Sequence, residues 1–368
     1  MILTSFKAKN FRNIERCDIA FQDGVQLLIG DNAQGKTNAV EGIYLFARGR
    51  SFRTASDRDM VRFSEEGFSV EVTYTDKQGP HTMTYTYYNG QRKRTVNGYE
   101  VKRVTDMIGH LRAVLFTPDH LRLVKDSPEE RRSFLNVALS QCYPAYVKVY
   151  ADLKRAQDER NCLLKQAQKG LYFDKEQIDA WSYSLAEYSA RIYLHRKEYL
   201  KKLKVYGEPI LSRMTDGKEE LTIVYKSDIE IDTDDVTAIR EQYVRVYSEE
   251  LAREIGAGVT LFGPTRDDIE LYINGQSVRH FASQGQQRSV VLALKLAEGE
   301  VCRDLCGEDP VYIFDDVLSE LDSSRRAYLF KEMKQKQLIL TGCESVADIP
   351  DGVHRIKVEK GTYVSAYR

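Results

Sequence analysis

The stretch LLIGDNAQGKTN, residues 27–38, decides the fold class of this chain. Gly30, Gly35, Lys36 and Thr37 form the pattern G-x-x-x-x-G-K-T, which is typical of a loop that binds nucleotide phosphates. The apolar residues Val25, Leu27, Leu28 and Ile29 precede the pattern, and a helix-forming run follows it. Glycines let backbone N–H groups surround an anion, and the N-terminus of the following helix adds a positive partial charge. The sequence therefore predicts a phosphate-binding loop between a strand and a helix.

The residue types of this loop assign a chemical role to most of its positions. We expect Lys36 to reach the β- and γ-phosphates and to act in catalysis, and we expect the Thr37 hydroxyl to bind Mg²⁺. The other cofactor-binding candidates are the remaining loop residues, Gly30, Asp31, Asn32, Ala33, Gln34 and Gly35. The expected cofactors are ATP and Mg²⁺. The loop alone does not reveal how the energy of the nucleotide is used.

Composition excludes several classes of protein. The formal net charge is −1, so any nucleic-acid binding must come from a local patch or from a groove made by assembly. The six cysteines form no C-x-x-C pair, which favours reduced thiols. The N-terminus lacks the apolar core of a signal peptide, and no apolar run is long enough to span a bilayer. We expect a cytoplasmic protein.

The nucleotide-binding pattern is split along the chain. Residues 68–101 alternate apolar and polar side chains between Asn-Gly turns, which predicts an antiparallel β-meander. Helix-forming residues dominate from 128 to about 206, and the strand–helix pattern returns after about 265. We expect an α/β head made of residues 1–118 and 266–368, with residues 119–265 inserted as a helical lobe or short arm.

A second nucleotide-site pattern is VYIFDD, residues 311–316. It predicts a buried strand that ends in two carboxylates, Asp315 and Asp316. In a phosphate-loop protein, Asp315 would hold Mg²⁺ and Asp316 would be the catalytic carboxylate that polarises the attacking water. By itself the pair would also suit a simple helix cap.

The run SQGQQR, residues 283–288, resembles the signature motif of ABC-type ATPases. It opens a predicted helix and offers a serine hydroxyl, glycine N–H groups and a helix N-terminus, which together form a second anion site. The first loop already has its own helix, so we expect Ser283, Gly285 and Gln286 to bind the nucleotide of another subunit in trans. A further run, SELD at 319–322, matches the loop that crosses the dimer interface in those proteins.

Taken together, these motifs resemble those of the RecF family, within the SMC-like branch of the ABC ATPases. The resemblance covers essentially the whole chain and rests on six runs: NFRN (10–13), GDNAQGKTN (30–38), SPEERRSFLN (127–136), FGPTRDDIELYINGQ (262–276), SQGQQRS (283–289) and DDVLSELD (315–322). It implies a mixed ABC-type head sheet with an antiparallel meander, and it adds Arg12 and Asn13 to the cofactor-binding residues. SMC proteins carry a coiled coil of hundreds of residues between their halves. The insertion here is far shorter, which favours the RecF family.

The resemblance implies an ATP-dependent DNA-binding protein of recombinational repair, with roles in gap repair, replication restart and SOS induction. It implies duplex DNA, single-/double-strand junctions and RecR as partners, and an ATP-dependent head-to-tail homodimer. Asp316 replaces the usual catalytic glutamate, and residues 341–343 (TGC) lack the histidine of ABC transporters. Residues 116–119 (FTPD) also lack the glutamine of related proteins. We therefore expect weak, DNA-stimulated ATP hydrolysis.

The DNA-contacting residues follow from local charge rather than from a motif. Arg48, Arg50, Arg53 and Arg58 lie in a segment with few apolar residues and are the first candidates, ahead of the lysines near Lys201. Two alternatives remain: another SMC-like ABC ATPase, or a phosphate-loop kinase acting on a small molecule. A kinase has no use for a trans-acting signature helix, and the chain has no guanine-specific N-K-x-D sequence.

Overall fold

The computed structural model describes residues 1–171, 174–343, 349–350 and 352–366, and this part of the chain forms fifteen strands and ten α-helices. The strands are β1 Ile2–Phe11, β2 Ile14–Ala20, β3 Val25–Ile29, β4 Gly67–Asp76, β5 Gly79–Tyr88, β6 Gln91–Val96, β7 Tyr99–Glu100, β8 Ala113–Phe116, β9 Leu221–Lys226, β10 Asp268–Ile273, β11 Gln276–Ser277, β12 Val311–Phe314, β13 Leu338–Gly342, β14 His354–Glu359 and β15 Thr362–Ala366. The helices are α1 Lys36–Arg48, α2 Arg122–Lys125, α3 Pro128–Cys142, α4 Pro144–Gln168, α5 Lys175–Met214, α6 Val236–Glu249, α7 Leu251–Ala257, α8 Val278–Phe281, α9 Gln284–Cys306 and α10 Ser323–Glu332. None of the described helices is long and apolar enough to cross a membrane.

Contacts divide the chain into two compact units. The head comprises residues 1–121, 206–220 and 282–368, and the lobe comprises 122–205 and 221–281. These limits differ from the expected insertion at 119–265 in two main places. Residues 206–220 are grouped with the head, and residues 266–281 are grouped with the lobe, where β10 pairs with β9 along its whole length. The boundaries drawn from sequence stay a prediction. The predicted segments 119–265 and 266–368 include residues 172–173, 344–348, 351 and 367–368, which lie outside the described residues.

The nucleotide motifs lie on a six-stranded mixed sheet in the head, in the order β15-β14-β3-β13-β12-β8. Strands β14, β3, β13, β12 and β8 run parallel, and β15 is antiparallel to β14. Every residue of β8, β12 and β13 is buried, as expected for parallel strands covered on both faces. Because β3, β13 and β12 are neighbours, their carboxyl ends meet at one edge of the sheet.

The predicted meander is confirmed and is larger than expected. A second head sheet has the order β2-β1-β4-β5-β6-β7, with every neighbour antiparallel. Asn89-Gly90 and Asn97-Gly98 join its strands with both residues at positive φ, which matches the twist that hairpin turns require. The sequence patterns therefore identified the fold class, an α/β ABC-type head with a β-meander and an inserted helical lobe.

The lobe combines helices with a three-stranded sheet of order β11-β10-β9. Strand β9 was not predicted from the sequence. A buried ionic network stabilises the helices: the fully buried Arg160 donates to Glu254 (2.6 Å), Ser182 (2.8 Å) and Thr260 (3.0 Å). These polar partners supply the hydrogen bonds that a buried guanidinium needs.

Two runs that support the family resemblance come together within the lobe. Arg131, from the run at 127–136, donates two parallel hydrogen bonds of 2.8 Å to the carboxylate of Asp268, from the run at 262–276. Arg132 donates to the backbone oxygen of Asp267, and Arg196 donates to the backbone oxygen of Pro264. The residues of both runs thus act in folding the lobe.

Candidate nucleotide-binding site

The phosphate loop, residues 30–35, connects β3 to α1 as predicted. Its backbone is bent at two places, with φ of 65° at Ala33 and 115° at Gly35. The Lys36 ammonium donates to the backbone oxygens of Gly30 (2.6 Å) and Asp31 (2.8 Å). The positive charge therefore lies against the loop backbone beside the start of α1, where an anion would also meet the helix N-terminus.

The β14–β15 hairpin holds the loop from the other side. The Tyr363 hydroxyl donates to the backbone oxygen of Gly35 (2.8 Å), and burial raises the pKa of that hydroxyl. The Gln34 backbone oxygen accepts from Gly361 (2.8 Å), and its side-chain oxygen accepts from the backbone N–H of Lys360 (2.6 Å). Sequence reasoning missed these residues, because nothing in residues 354–366 indicates contact with a loop more than 300 positions away.

The first carboxylate after β12 lies beside the first turn of α1. One oxygen of the buried Asp315 side chain accepts from the Thr37 hydroxyl (3.1 Å) and from the Thr341 hydroxyl (2.7 Å). Burial raises the pKa of Asp315, while the two hydroxyl donors oppose that rise. The structure thus brings together the two predicted metal ligands and adds Thr341, at the end of β13, as their positioning residue.

Asp316, the predicted catalytic carboxylate, is exposed and has a left-handed backbone with φ of 54°. Its backbone N–H donates to the Thr341 hydroxyl (2.9 Å), and its carbonyl accepts from Ser319 (3.0 Å). Aspartate tolerates this backbone region better than most residues. The chain therefore turns sharply after Asp315 and directs the next carboxylate to solvent, at the edge of the sheet that carries the loop.

Thr37 and Asp315 suit a magnesium ion chemically. Hydroxyl and carboxylate oxygens are hard ligands, and Mg²⁺ is commonly held by one or two protein oxygens together with phosphate oxygens and water. The two oxygens are already 3.1 Å apart. When bound, the ion would neutralise charge on the phosphates.

The residues of the NFRN run lie against the loop and α1. Asn13 donates to the backbone oxygen of Ala33 (3.1 Å) and accepts from Asn38 (2.6 Å). The Arg12 guanidinium binds both oxygens of the fully buried Glu41 on α1, at 2.9 and 2.5 Å. Arg53 also donates to Glu41 (3.1 Å). Glu41 was not predicted, and it fixes both arginines beside the helix that carries Lys36.

The signature run forms the start of α9, as predicted. Ser283 is the N-cap: its hydroxyl accepts from the backbone N–H of Gln286 (3.3 Å), and the Gln286 side chain accepts from the backbone N–H of Ser283 (2.9 Å). This reciprocal pair is a capping box. Ser283 is exposed and Gly285 is half-buried. Within the described part of the chain, no hydrogen bond joins residues 283–286 to residues 30–37.

The signature helix is tied to the SELD run within the same chain. Arg288, one turn into α9, forms an ion pair with Glu320. Asp322 caps α10 by accepting from the backbone N–H of Arg325 (2.9 Å). The signature segment and residues 319–322 therefore form one surface of the head.

The four arginines proposed for DNA do not share one environment. Arg50 and Arg58 are exposed on the segment after α1, whereas Arg48 is half-buried at the end of that helix. Arg53 donates to Asn38 (2.8 Å) as well as to Glu41, so it lies beside the phosphate loop. Their contacts with DNA stay a prediction.

Comparison with known proteins agrees with the motifs. The family model described as "RecF/RecN/SMC N terminal domain" matches residues 2–356. The chain is 35% identical over 350 residues to a DNA replication and repair protein RecF of Bacillus mycoides, covering 95% of this chain and 93% of the relative. It is 34% identical to the protein of the same name from Bacillus velezensis, covering 99% and 100%. A solved structure of the recombination mediator protein RecF-ATPrS in the RecFOR pathway superposes with a TM-score of 0.92 at 32% identity, covering 99% and 98%.

Proposed function

This chain belongs to the RecF family of the RecF/RecN/SMC proteins, and on that premise we propose that it is an ATP-dependent DNA-binding protein of recombinational repair. Its relatives are named for DNA replication and repair, and solved RecF structures were described with ATP and with ATPrS. The proposed roles are gap repair, replication restart and SOS induction. A repair protein of this kind works in the cytoplasm with the chromosome, and RecR is its proposed protein partner.

One observation supports the mechanism above all others: the candidate nucleotide-binding residues of the head fall into two separate sets. Lys36, Thr37, Asp315 and Asp316 come together at the edge of the mixed sheet. The Ser283 segment is capped, exposed and not bonded to the loop of its own chain. A second copy can therefore supply Ser283, Gly285 and Gln286 to the γ-phosphate, giving a head-to-tail dimer with two composite sites.

The loop residues would bind and orient ATP within one protomer. Lys36 would exchange its two carbonyl partners for phosphate oxygens, which are stronger, charged acceptors. Thr37 and Asp315 would hold Mg²⁺ between them. The partner's donors would contact the γ-phosphate, which ADP lacks, so the dimer would bind ATP more tightly than ADP. This difference in affinity is what allows ATP to shift the monomer–dimer equilibrium.

Asp316 is the proposed group that orients and polarises the attacking water. Its exposed carboxylate directly follows the metal ligand Asp315. An aspartate is one methylene shorter than glutamate, so the carboxylate lies farther from the water and hydrolysis is slow. Slow hydrolysis suits a switch, because the ATP-bound dimer then persists long enough to act on DNA. DNA that stabilises the closed dimer would accelerate hydrolysis.

Dimerisation would also create the DNA-binding surface. The chain as a whole is nearly neutral, so two modest basic patches must combine to attract a duplex or a single-/double-strand junction. Arg50 and Arg58 are exposed and are the leading candidates, while Arg48 and Arg53 remain weaker ones because α1 and its neighbours hold them.

Fluorescence anisotropy of a labelled DNA duplex tests this function directly. With Mg²⁺, we expect tight binding in the presence of ATPγS and at least tenfold weaker binding with ADP. The Ser283→Arg variant should bind ATPγS normally, but ATPγS should not raise its DNA affinity. The large arginine side chain would keep the signature segment from approaching the γ-phosphate bound by the other protomer. Equal DNA affinity with both nucleotides would refute the ATP-gated switch. Loss of nucleotide binding by Ser283→Arg would instead place Ser283 in the site of its own chain.

A further inference from the structure

We propose that Arg325 completes the trans half of the composite site and binds the γ-phosphate of the partner's nucleotide. This inference rests on the head-to-tail dimer proposed above, and it assigns a new residue to it. Arg325 lies in the first turn of α10, directly after the SELD run. Its side chain reaches back to the start of α9, where the signature segment begins.

Two of the three guanidinium nitrogens of Arg325 have fixed partners in the head. Nε donates to the hydroxyl of the fully buried Ser289 (2.6 Å), one turn after the signature glycine. Nη1 forms an ion pair with Asp322. These two contacts on opposite sides hold the guanidinium plane in one orientation, so the third nitrogen, Nη2, has a defined position.

Nη2 lies beside the signature segment. It is 3.7 Å from the place that a Cβ atom would take on Gly285, and the Ser283 hydroxyl is 4.0 Å from the same point. Nη2 and the hydroxyl are therefore no more than about 8 Å apart, so one phosphoryl group can accept a hydrogen bond from each of them. Among the described residues, Nη2 has no hydrogen-bond partner, and the side chain is 21% exposed.

The charge of this arrangement favours a phosphate. Ser283, Gly285 and Gln286 offer neutral donors and the partial charge of a helix N-terminus, while Arg325 adds a guanidinium whose positive charge Asp322 offsets in part. Charge-assisted hydrogen bonds from arginine to phosphate are stronger than those from neutral donors. Because Ser289 binds Nε and Asp322 binds Nη1, the guanidinium keeps the N–H donors of Nη2 for an incoming anion.

Four variants of the full-length chain separate contact with phosphate from a structural role. Arg325→Gln removes the charge, and Arg325→Lys keeps the charge without the fork. Ser289→Ala removes the neutral contact that positions the guanidinium while leaving its charge. Lys36→Ala disables the phosphate loop and serves as the partner in mixing experiments. Circular dichroism and ATP binding to the intact loop establish that each Arg325 variant is folded.

Sedimentation with ATPγS and Mg²⁺ measures the dimer. For Arg325→Gln, we expect unchanged ATPγS binding by the monomer but dimerisation weakened about tenfold per site, and so about a hundredfold for two sites. Arg325→Lys should lie between Gln and the wild type, and Ser289→Ala should stay within about threefold of it. Dimerisation of Arg325→Gln at wild-type strength would overturn the proposal. If Ser289→Ala weakened dimerisation as much as Arg325→Gln does, the proposal would be overturned, and Arg325 would act only by positioning the start of α9.

Mixing Arg325→Gln with Lys36→Ala tests whether the contact acts in trans. Each mixed dimer has one site with an intact loop facing an intact signature segment, so a 1:1 mixture should recover up to about a quarter of the wild-type ATPase rate. The mixture of Ser283→Arg with Lys36→Ala is the matched control. Recovery in the control but not with Arg325→Gln would show that Arg325 acts on its own nucleotide and would refute the proposal. Failure of the wild type itself to dimerise would refute the proposed function instead.

Discussion

Replacing Gly30 by alanine should destabilise the head even when no nucleotide is bound. Gly30 is the first glycine of the phosphate loop, and its usual role is to let the backbone approach a phosphate. In this fold it also lies against β14: a Cβ atom at Gly30 would be 2.2 Å from the backbone oxygen of Val358 and 3.2 Å from the carbon of the same carbonyl. A methyl group there forces one backbone segment to move.

The size of the effect follows from how firmly those segments are held. Relieving the overlap requires a shift of about 1 Å, and overpacking of this kind typically costs about 1–3 kcal/mol. Strand β14 is paired with β3 on one side and with β15 on the other, so it cannot yield without disturbing both ladders. We therefore expect the upper end of that range, about 3 kcal/mol, which corresponds to a fall in Tm of roughly 6–12 °C.

Thermal unfolding followed by circular dichroism, with no nucleotide and then with ATPγS and Mg²⁺, measures this effect. Gly285→Ala is the matched control, because its added Cβ would meet atoms no closer than 3.7 Å. It should unfold within about 2 °C of the wild type when nucleotide is absent. If Gly30→Ala kept the wild-type Tm without nucleotide and lost only ATP binding, then its contact with Val358 would not limit stability and our reasoning would be wrong.

Three further variants test other parts of the structure. Glu254→Gln leaves the buried Arg160 without its countercharge, so we expect the free energy of unfolding in urea to fall by about 3–5 kcal/mol. A fall below about 1 kcal/mol would contradict a buried ion pair. The pKa of His120 lies well below its usual value because loss of water around the half-buried ring and the charge of Lys295 both disfavour protonation. Its neutral ring stabilises the fold above the unfolded pKa of about 6.5, and that stability is lost as pH falls. His120→Gln should therefore lose about 1 kcal/mol less free energy of unfolding than the wild type between pH 7 and 5.5. A pH profile of stability identical to that of the wild type would refute this role of His120. Asp315→Asn should keep the hydrogen bonds from the two threonines yet weaken Mg²⁺-dependent ATP binding at least tenfold in a fluorescent-nucleotide titration, with Mg²⁺-free binding as the control. Burial raises the pKa of Asp315, and the metal needs the ionised carboxylate, so the Mg²⁺ affinity of the wild type should fall as the pH is lowered toward that raised pKa. If Asp315→Asn left the Mg²⁺ dependence of ATP binding unaltered, Asp315 would not be a metal ligand.

The parts of the site that could be predicted from sequence are those in which one short segment determines its own structure. The phosphate loop is preceded by an apolar strand and followed by a helix, and the structure has both. Strand β12 is four buried residues followed by Asp315, as the run VYIFDD indicates. Ser283 and Gln286 form a capping box that their three-residue spacing favours. In each case the residues of one short segment are enough to indicate its local structure, even where distant strands complete it, as β8 and β13 do for β12.

The contacts that were missed depend on residues far apart in the chain. Tyr363 holds the loop only because β14 pairs with β3, and Thr341 reaches Asp315 only because β13 lies between β3 and β12. Neither register can be read from a local pattern. Arg53 illustrates the same limit: nothing in its basic segment indicates the ion pair that it forms with Glu41 on α1, and its contact with DNA stays a prediction.

Sedimentation velocity of the wild-type protein tests most directly whether ATP joins two copies of this chain. The protein should be measured at one concentration with Mg²⁺ and either ADP or ATPγS. We predict a monomer of 42.3 kDa with ADP and a species of twice that mass with ATPγS. The dimer should also be further stabilised when a DNA duplex is added. A single monomeric species under all three conditions, with ATPγS shown to be bound, would contradict ATP-dependent dimerisation.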